Sequence, residues 1–233
     1  METVDELLKS FSGTTPLFPL PGFVFFPKTV QPFHIFEPRY IDLVNDCMAG
    51  EHLVTIPLLK AGGNGEDEGA RPFHGIATMG YINQVQELHD EHSRGEQVYN
   101  ILVTGLVKVE IAEVESEKAY RRGAVTPLPE FGQVTDAQTK QKSMLRTFRQ
   151  ILEKAQAAHN LELLMGEKVP IEMVTHIIIS ALPIAAEEKQ KMLELQSLEL
   201  RINILQNFLD RGLSTMGTIG QFKPILPTHP LWN

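Results

Sequence analysis

The chain has 233 residues, of which 42% are apolar, and this is enough to bury a sizeable core in one large domain or two small ones. Its 29 acidic and 21 basic side chains give a net charge of -8, so nothing draws the whole surface towards nucleic acid or anionic lipid. The single cysteine excludes an intramolecular disulfide and a cysteine-rich metal site, and it is typical of a reducing compartment.

The N-terminal segment METVDELLKSF carries acidic residues where a secretory signal has basic ones. Its apolar spacing predicts one short helical turn before the first strand. No apolar run in the chain approaches the roughly 18 residues that a membrane span requires. We therefore expect a cytoplasmic protein that does not contact a membrane.

Residues 16–50 contain the most informative change of pattern. Prolines interrupt the first half of this stretch between runs of Leu, Phe and Val, which predicts short strands separated by loops. At Glu37 the pattern becomes helical, with Pro38 in the first turn and Gly50 as the end. One apolar stripe follows along that helix: Tyr40, Leu43, Val44 and Cys47. The stretch thus predicts strand, strand and helix, with the helix packed on a sheet and Cys47 as a buried thiol.

Strand patterns dominate the next eighty residues. Residues 52–59 are apolar, and Pro57 within them favours an edge strand or a bulge. Residues 74–88 and 98–111 alternate as two long strands, with a bend or bulge expected at Gly105. A final strand is expected at about 121–128. Polar segments at 61–71 and 89–96 between these strands are predicted to be exposed loops.

Helical periods replace the strand patterns from about residue 136 to residue 213. Three apolar stripes predict three helices that need packing partners, and a shorter helix is expected at 185–195. The stripes are Met144, Leu145, Phe148, Ile151, Leu152 and Ala155; Val174, Ile177, Ile178 and Ala181; and Leu198, Ile202, Leu205 and Leu209. The predicted class is therefore α+β, with a sheet first and a small helical bundle after it.

The opening segments PLFPLPGFVFFP and PFHIFEPRY closely resemble the start of the Lon N-terminal domain family. This family is the substrate-recognition module at the front of Lon ATP-dependent proteases, and it also occurs as stand-alone proteins. Later strands and the segment ALPIAAEEKQKMLELQSLELRINILQNFL are similar to the family as well, so the resemblance covers roughly nine-tenths of the chain. The motif residues that carry it are Pro19, Pro21, Pro27, His34, Glu37, Pro38, Arg39 and Tyr40.

The resemblance implies a PUA-like, β-rich subdomain with one packed helix at 1–130, a helical bundle at 131–213 and an extended tail at 214–233. It also implies a stand-alone, non-catalytic module in proteolysis or quality control. Its partners would be unfolded or damaged polypeptides, or a Lon-type protease. The resemblance does not define an oligomeric state. Two departures are visible: Lys108 replaces a common arginine, and the acidic loop Gly62 to Gly69 resembles an insertion.

The sequence contains no motif for the catalytic work of a protease machine. No Gly-Lys dipeptide is present, so there is no G-x-x-x-x-G-K-S/T loop for a nucleotide. No serine lies in a G-x-S-x-G elbow, and none resembles the glycine-flanked serine of the Lon peptidase domain. We therefore expect neither ATP hydrolysis nor peptide cleavage, and no cofactor. The cluster His89-Asp90-Glu91-His92 lacks a rigid framework and is expected to be a solvated turn rather than a metal site.

Binding is the remaining kind of function. An exposed apolar groove would suit unfolded polypeptide, and the candidate residues for it are Phe23, Phe25, Phe26, Met79 and Tyr81. Aromatic residues at strand spacing are more often core residues, which is the competing interpretation.

The motif residues are given structural roles. Glu37 and Arg39 are expected to hold the opening loop through charge-assisted hydrogen bonds, and His34 to be a hydrogen-bonded core residue. The alternative function, RNA binding by a PUA-like domain, would use Lys108 and the pair Arg121-Arg122, but the net charge opposes it.

Overall fold

The computed structural model of the chain describes residues 4–62, 71–89, 97–155 and 169–214. The chain divides into two compact units, the first running to Leu128 and the second beginning at Pro129. Three predicted segments lie largely outside the described residues: most of the acidic loop, the turn at 89–96 with its metal-capable side chains except for His89, and the tail beyond residue 214. His89 is the last residue of a strand. Each unit is described by itself.

The described residues of the first unit form two helices and an antiparallel sheet. The helices are α1 (Val4–Ser10) and α2 (Pro38–Ala49), and the strands are β1 (Thr14–Pro16), β2 (Val30–Ile35), β3 (Leu53–Ile56), β4 (Ile76–His89), β5 (Gln97–Val114) and β6 (Arg122–Pro127). The strand order is β1-β6-β5-β4-β3, and β2 pairs with β5 beside β6. The long strand β5 therefore carries β4 along one edge and both β2 and β6 along the other.

The two ends of the sheet meet. Residues 17–20 continue from β1 and run parallel to β3, with bridges from Leu17 to Thr55 and from Leu20 to Leu58. The Thr15 and Thr55 hydroxyls hydrogen-bond at 2.7 Å in the core. The edge strand expected from Pro57 agrees with the sheet order, in which β3 is the last strand and ends just before this proline; the opening chain covers its outer side.

Helix α2 forms where the sequence predicts it. Pro38 occupies the first turn, where a missing backbone N–H is harmless, and Gly50 follows the last residue. Leu43, Val44 and Cys47 of the predicted stripe are buried. They pack in a core cluster with side chains of β2, β3, β4 and β5, so one face of α2 lies on the sheet.

The residues just before β2 pack against a bulge in β5. The β4–β5 register shifts between Met79 and Gly80, which confirms the irregularity predicted at Gly105. Gly105 donates its N–H to the carbonyl of Thr29 and accepts from the N–H of Lys28, both at 2.8 Å. A Cβ on Gly105 would overlap the carbonyl oxygen of Phe26 and lie 3.1 Å from its carbonyl carbon. Only glycine permits this approach of two backbones.

The second unit is helical, as predicted. Its helices are α3 (Ala137–Lys154), α4 (Ile171–Ala181), α5 (Ala186–Glu194) and α6 (Leu198–Ser214). Helices α3, α4 and α6 pack against one another. Helix α4 is buried almost all round from Val174 to Ile179, which is typical of a central helix.

The predicted α+β class is confirmed. No helix in the described part of the chain combines the length and apolarity needed to cross a bilayer.

Replacing Gly105 by alanine tests the close approach of the two backbones. The new methyl group must displace the chain at Phe26, so we expect Gly105→Ala to lower the free energy of unfolding by about 1–3 kcal/mol. Gly75→Ala is the matched control, because nothing lies within 4 Å of its Cβ position; its effect should stay within about 0.5 kcal/mol. Urea unfolding followed by circular dichroism measures both, and equal stabilities would contradict the packing described.

Candidate functional site

Five aromatic rings form a connected cluster in the first unit: Phe18, Phe23, Phe25, Phe33 and Tyr40. The ring of Phe33 meets those of Phe18 and Phe23 edge to face, each at 5.6 Å between centroids. Phe18 also meets Tyr40 edge to face at 4.7 Å. Such pairs add roughly 0.5–1.5 kcal/mol each beyond the area they bury. The cluster joins the proline-bounded loop, β2 and the first turn of α2.

The cluster continues to the protein surface. Phe18 and Phe25 are buried, whereas Phe23, Phe33 and Tyr40 are only partly buried. Phe36, at the end of β2, is 60% exposed. We call Phe23, Phe33, Phe36 and Tyr40 the aromatic surface. Phe23, Phe33 and Tyr40 belong to the ring cluster, whereas Phe36 lies next to His34 on the opposite face of β2. Exposed aromatic side chains on a rigid framework indicate a place where another molecule binds.

The charged residues of the predicted motif hold the start of α2. Arg39 donates to the Glu37 carboxylate through Nε at 2.9 Å, and its Nη2 lies 2.7 Å from the same oxygen. The guanidinium also lies 4.6 Å from the centre of the Tyr40 ring. Glu37 and Arg39 thus bind each other and stabilise the position of Tyr40.

Three of the five predicted polypeptide-binding residues belong to the core. Phe25, Phe26 and Met79 are 1%, 0% and 0% exposed, so they present no surface to a ligand in this conformation. The Phe25 carbonyl accepts from the hydroxyl of Thr78 at 2.7 Å, which fixes this part of the loop under the sheet. This corrects the assignment of these three residues.

The two remaining candidates lie apart from each other. Phe23 is part of the aromatic surface. Tyr81 packs against a second core cluster, which also contains Met79, and its ring stacks on His52 at 5.4 Å. The structure therefore does not bring the five predicted residues into one groove. Phe33 and Phe36 were missed, although the alternation of β2 places Phe36 on the face opposite the buried Ile35.

His34 is hydrogen-bonded, as predicted, but it does not lie in the core. It is exposed rather than part of the core, because it lies on the face of β2 that points away from Ile35. Its Nδ1 forms a 2.7 Å hydrogen bond with Oδ1 of Asn100 on β5. The ring lies 6.0 Å from that of Phe36.

A second polar group ties α2 to the chain that precedes β6. The Tyr120 hydroxyl donates to Asp46 Oδ2, and Lys118 Nζ lies 2.8 Å from the same oxygen. The hydrogen bonds from Lys118 and Tyr120 lower the pKa of Asp46. Burial and the hydrogen bond to Asp46 raise the pKa of Tyr120. Residues 113–121 line an open depression of about 870 Å³ beside this group.

Cys47 is an unreactive thiol. It is 3% exposed and donates to the carbonyl of Leu53, and burial raises its pKa to about 12. A thiol with so high a pKa is not a nucleophile near neutral pH.

The basic residues considered for RNA binding are either buried or engaged with other groups of the protein. Lys108 is 1% exposed and offers no surface to a ligand. Arg121 makes two hydrogen bonds to the carboxylate of Glu113, at 2.5 and 2.6 Å, and lies 4.4 Å from the centre of the Phe73 ring. Arg122 donates to the hydroxyl of Thr14. Nothing in this arrangement favours nucleic-acid binding.

A fully buried arginine organises the second unit. Arg201 is 0% exposed and donates through Nε to the carbonyl of Met192 at 2.8 Å and through Nη2 to that of Leu195 at 2.5 Å. Its Nη1 pairs with Glu130 and lies 2.8 Å from Nε2 of His176. The guanidinium thus binds the end of α5, the start of the unit and the central helix α4.

The same place contains the one group of possible metal ligands in the described part of the chain. Glu130, Glu172 and His176 offer ligand atoms within 4.8 Å of one another. The Arg201 guanidinium already contacts the first and third of these side chains. A divalent cation there would face a buried positive charge, so the cluster is better explained as the partner of Arg201.

Comparison with known protein families gives one match over most of the chain. The model of the ATP-dependent protease La (LON) substrate-binding domain matches residues 14–211. The Lon protease of Anaeromyxobacter dehalogenans is 23% identical over 204 residues, which are 84% of this chain and 23% of that protein. Lon protease 2 of Desulfotalea psychrophila is 25% identical over 211 residues, covering 85% and 25%. The chain thus spans about a quarter of the length of these relatives.

Two solved structures share the fold. The N-terminal domain of the Mycobacterium avium complex Lon protease superposes with a TM-score of 0.63 at 14% identity, covering 84% of this chain and 98% of that one. A Lon N-terminal domain protein from Xanthomonas campestris superposes with a TM-score of 0.58 at 17% identity, with the same coverage. Both similarities are in architecture far more than in sequence.

Removing the Arg201 guanidinium should destabilise the second unit strongly. Arg201→Met leaves the carboxylate of Glu130 and the carbonyls of Met192 and Leu195 without this donor, and we expect a loss of about 3–5 kcal/mol. Arg146→Met removes an exposed arginine from α3 and should change the stability by less than about 0.5 kcal/mol. Thermal unfolding followed by circular dichroism at 222 nm measures the unfolding midpoint of each variant. Equal midpoints would show that Arg201 does not hold the helices.

Acid should weaken the first unit through Asp46. The pKa of Asp46 is lower in the folded protein than its ordinary value of 3.8. The charged carboxylate therefore contributes its full stability above pH 3.8, and this contribution disappears as the pH falls through the pKa of the folded protein. The stability difference between the wild type and Asp46→Asn should therefore be constant at neutral pH and shrink below pH 3.8. Urea unfolding at a series of pH values measures it. A difference that grows on acidification would contradict the assigned contacts.

Proposed function

The chain belongs to the family of ATP-dependent protease La (Lon) substrate-binding domains, and we propose that it binds segments of unfolded or damaged polypeptide without a reaction of its own. The observation that supports this proposal is the aromatic surface of Phe23, Phe33, Phe36 and Tyr40. In this proposal the protein acts in proteolysis or quality control, either alone or beside a Lon-type protease.

Unfolded polypeptide fits this surface because its distinguishing property is exposed apolar side chains. Rings recognise such side chains by area rather than by sequence, so one surface can accept many segments. The exposed part of Phe36 corresponds to roughly 120 Å² of a ring side chain, which gives about 3 kcal/mol as an upper bound on burial. Part of this is offset by the loss of freedom on binding, so a few such contacts support micromolar affinity.

The rigid support of the surface favours binding as well. Tyr40 is held between Phe18 and the Arg39 guanidinium, and Phe33 is held among Phe18, Phe23 and Phe25. Side chains that are ordered before binding lose little entropy when a ligand arrives. The surface can therefore use most of the area it buries for affinity.

Phe36 offers a clean test, because another ring of nearly equal exposure exists in the other unit. Phe36 is 60% exposed and Phe131 is 56% exposed. We expect Phe36→Ala to weaken binding of reduced, carboxymethylated α-lactalbumin about tenfold, and Phe131→Ala to leave it within twofold. Fluorescence anisotropy of the labelled protein measures both affinities, and the native, disulfide-bonded form is the control ligand.

The proposal fails if the wild type shows no saturable binding to the unfolded probe, or if it binds the native form equally well. Equal losses of affinity in the Phe36→Ala and Phe131→Ala variants would show that the binding surface is not centred on Phe36. A crosslinking experiment with the Lon protease of the same cells tests the partner: a specific crosslink supports action beside that protease, and its absence supports action alone.

A further inference from the structure

Among the described residues, strand β2 pairs on one side only. Its partner is β5, with Val30 opposite Thr104 and Ile35 opposite Tyr99. Gly105 donates to the carbonyl of Thr29, and hydrogen bonds along an antiparallel pair alternate residue by residue. Gln31, Phe33 and Ile35 therefore exchange hydrogen bonds with β5. The backbone groups of Val30, Pro32 and His34 point the other way.

This outer edge of β2 carries free hydrogen-bonding groups. None of the residues in 4–62, 71–89, 97–155 and 169–214 pairs with the backbone of Val30, Pro32 or His34 along that edge. Pro32 and His34 are exposed. Pro32 has no N–H, so the edge offers the amides of Val30 and His34 and the carbonyls of all three residues. A row of this kind is a template for an added strand.

We propose that an extended segment of unfolded polypeptide adds to the outer edge of β2 as a further strand. This inference rests on the proposed function and gives it a mode of recognition. The added segment accepts hydrogen bonds from the amides of Val30 and His34. It donates hydrogen bonds to the outward carbonyls of Val30, Pro32 and His34. Since every polypeptide has these groups, main-chain pairing provides affinity without demanding a sequence.

The side chains beside the edge explain a preference for apolar segments. Successive side chains of an added strand point to opposite faces of the sheet. On one face they meet Phe33, which packs against Phe23. On the other they meet Phe36, next to the ring of His34. The edge of β2 and the aromatic surface thus form one site. The backbone of β2 binds the backbone of the added segment, and the rings select segments with apolar side chains.

Pro32 decides between a foreign strand and a second copy of this chain. In an antiparallel pair of two β2 edges, Val30 of each copy would face His34 of the other, and the two prolines would face each other. Both central hydrogen bonds would then be missing, because neither proline has an N–H. A foreign polypeptide loses only one. The proline therefore protects the edge against self-association while leaving it open to a substrate.

Two substitutions of His34 isolate the backbone donor. His34→Ala and His34→Pro both remove the imidazole and its bond to Asn100, but only the proline removes the outward N–H. We expect His34→Pro to bind carboxymethylated α-lactalbumin about fivefold more weakly than His34→Ala, because the two variants differ in the outward N–H. Circular dichroism and the thermal midpoint report whether the variants are folded.

A second arm changes the ligand and leaves the protein intact. The probe is a fluorescein-labelled decapeptide of alternating Val and Thr, compared with a version N-methylated at every second residue. We expect methylation to weaken binding to the wild-type chain at least tenfold, because it removes the donors that an added strand needs. This arm decides the question if His34→Pro does not fold.

The outcomes separate the two proposals. Binding of the unfolded probe that ignores both His34→Pro and N-methylation overturns strand addition and leaves the proposed function standing. No saturable binding by the wild type overturns both. A wild-type chain that dimerises through this edge, shown by sedimentation equilibrium and abolished by His34→Pro, would replace the polypeptide by a second copy and overturn the inference.

Discussion

Close contact between Gly105 of β5 and the backbone at Phe26 positions the proline-bounded loop and the start of β2, which carry Phe23 and Phe33 of the candidate site. The contact brings the end of the proline-bounded loop onto β5 and starts β2 at a defined register. From there Phe33 points towards the aromatic cluster, and Phe36 reaches the surface just before α2 begins. A side chain larger than hydrogen at Gly105 would displace the loop, and with it the cluster.

The aromatic surface shows how a stable domain can present apolar rings to solvent. Phe33 and Tyr40 are packed edge to face against the buried ring of Phe18, and Phe23 is stacked on the buried ring of Phe25, so the core sets their orientation. The Glu37–Arg39 pair adds a charged boundary next to Tyr40. Order of this kind favours binding, because little side-chain entropy is left to lose.

The second unit uses a different solution. Its helices meet around Arg201, whose donors bind carbonyls at the end of α5, the Glu130 carboxylate and His176. A charge buried so completely is stable only when each of its hydrogen bonds is made, and the same demand fixes where the helices end. The guanidinium also explains why the Glu130 carboxylate and the His176 ring converge there.

Local pattern determined the elements of this protein. The period of the apolar residues and the positions of proline and glycine predicted helix α2, the long strands, the bulge near Gly105 and the helices of the second unit, because these features depend on neighbours in sequence. The motif at 16–40 also predicted the family, whose model matches residues 14–211.

Only the tertiary structure decided which of the apolar residues form a surface. Alternation along a strand separates two faces but does not say which one is covered, since that depends on elements far away in sequence. Phe25, Phe26 and Met79 are therefore core residues, while Phe36 and His34 are exposed. The free edge of β2 and the buried place of Arg201 have the same origin: both follow from long-range pairing, which no local pattern contains.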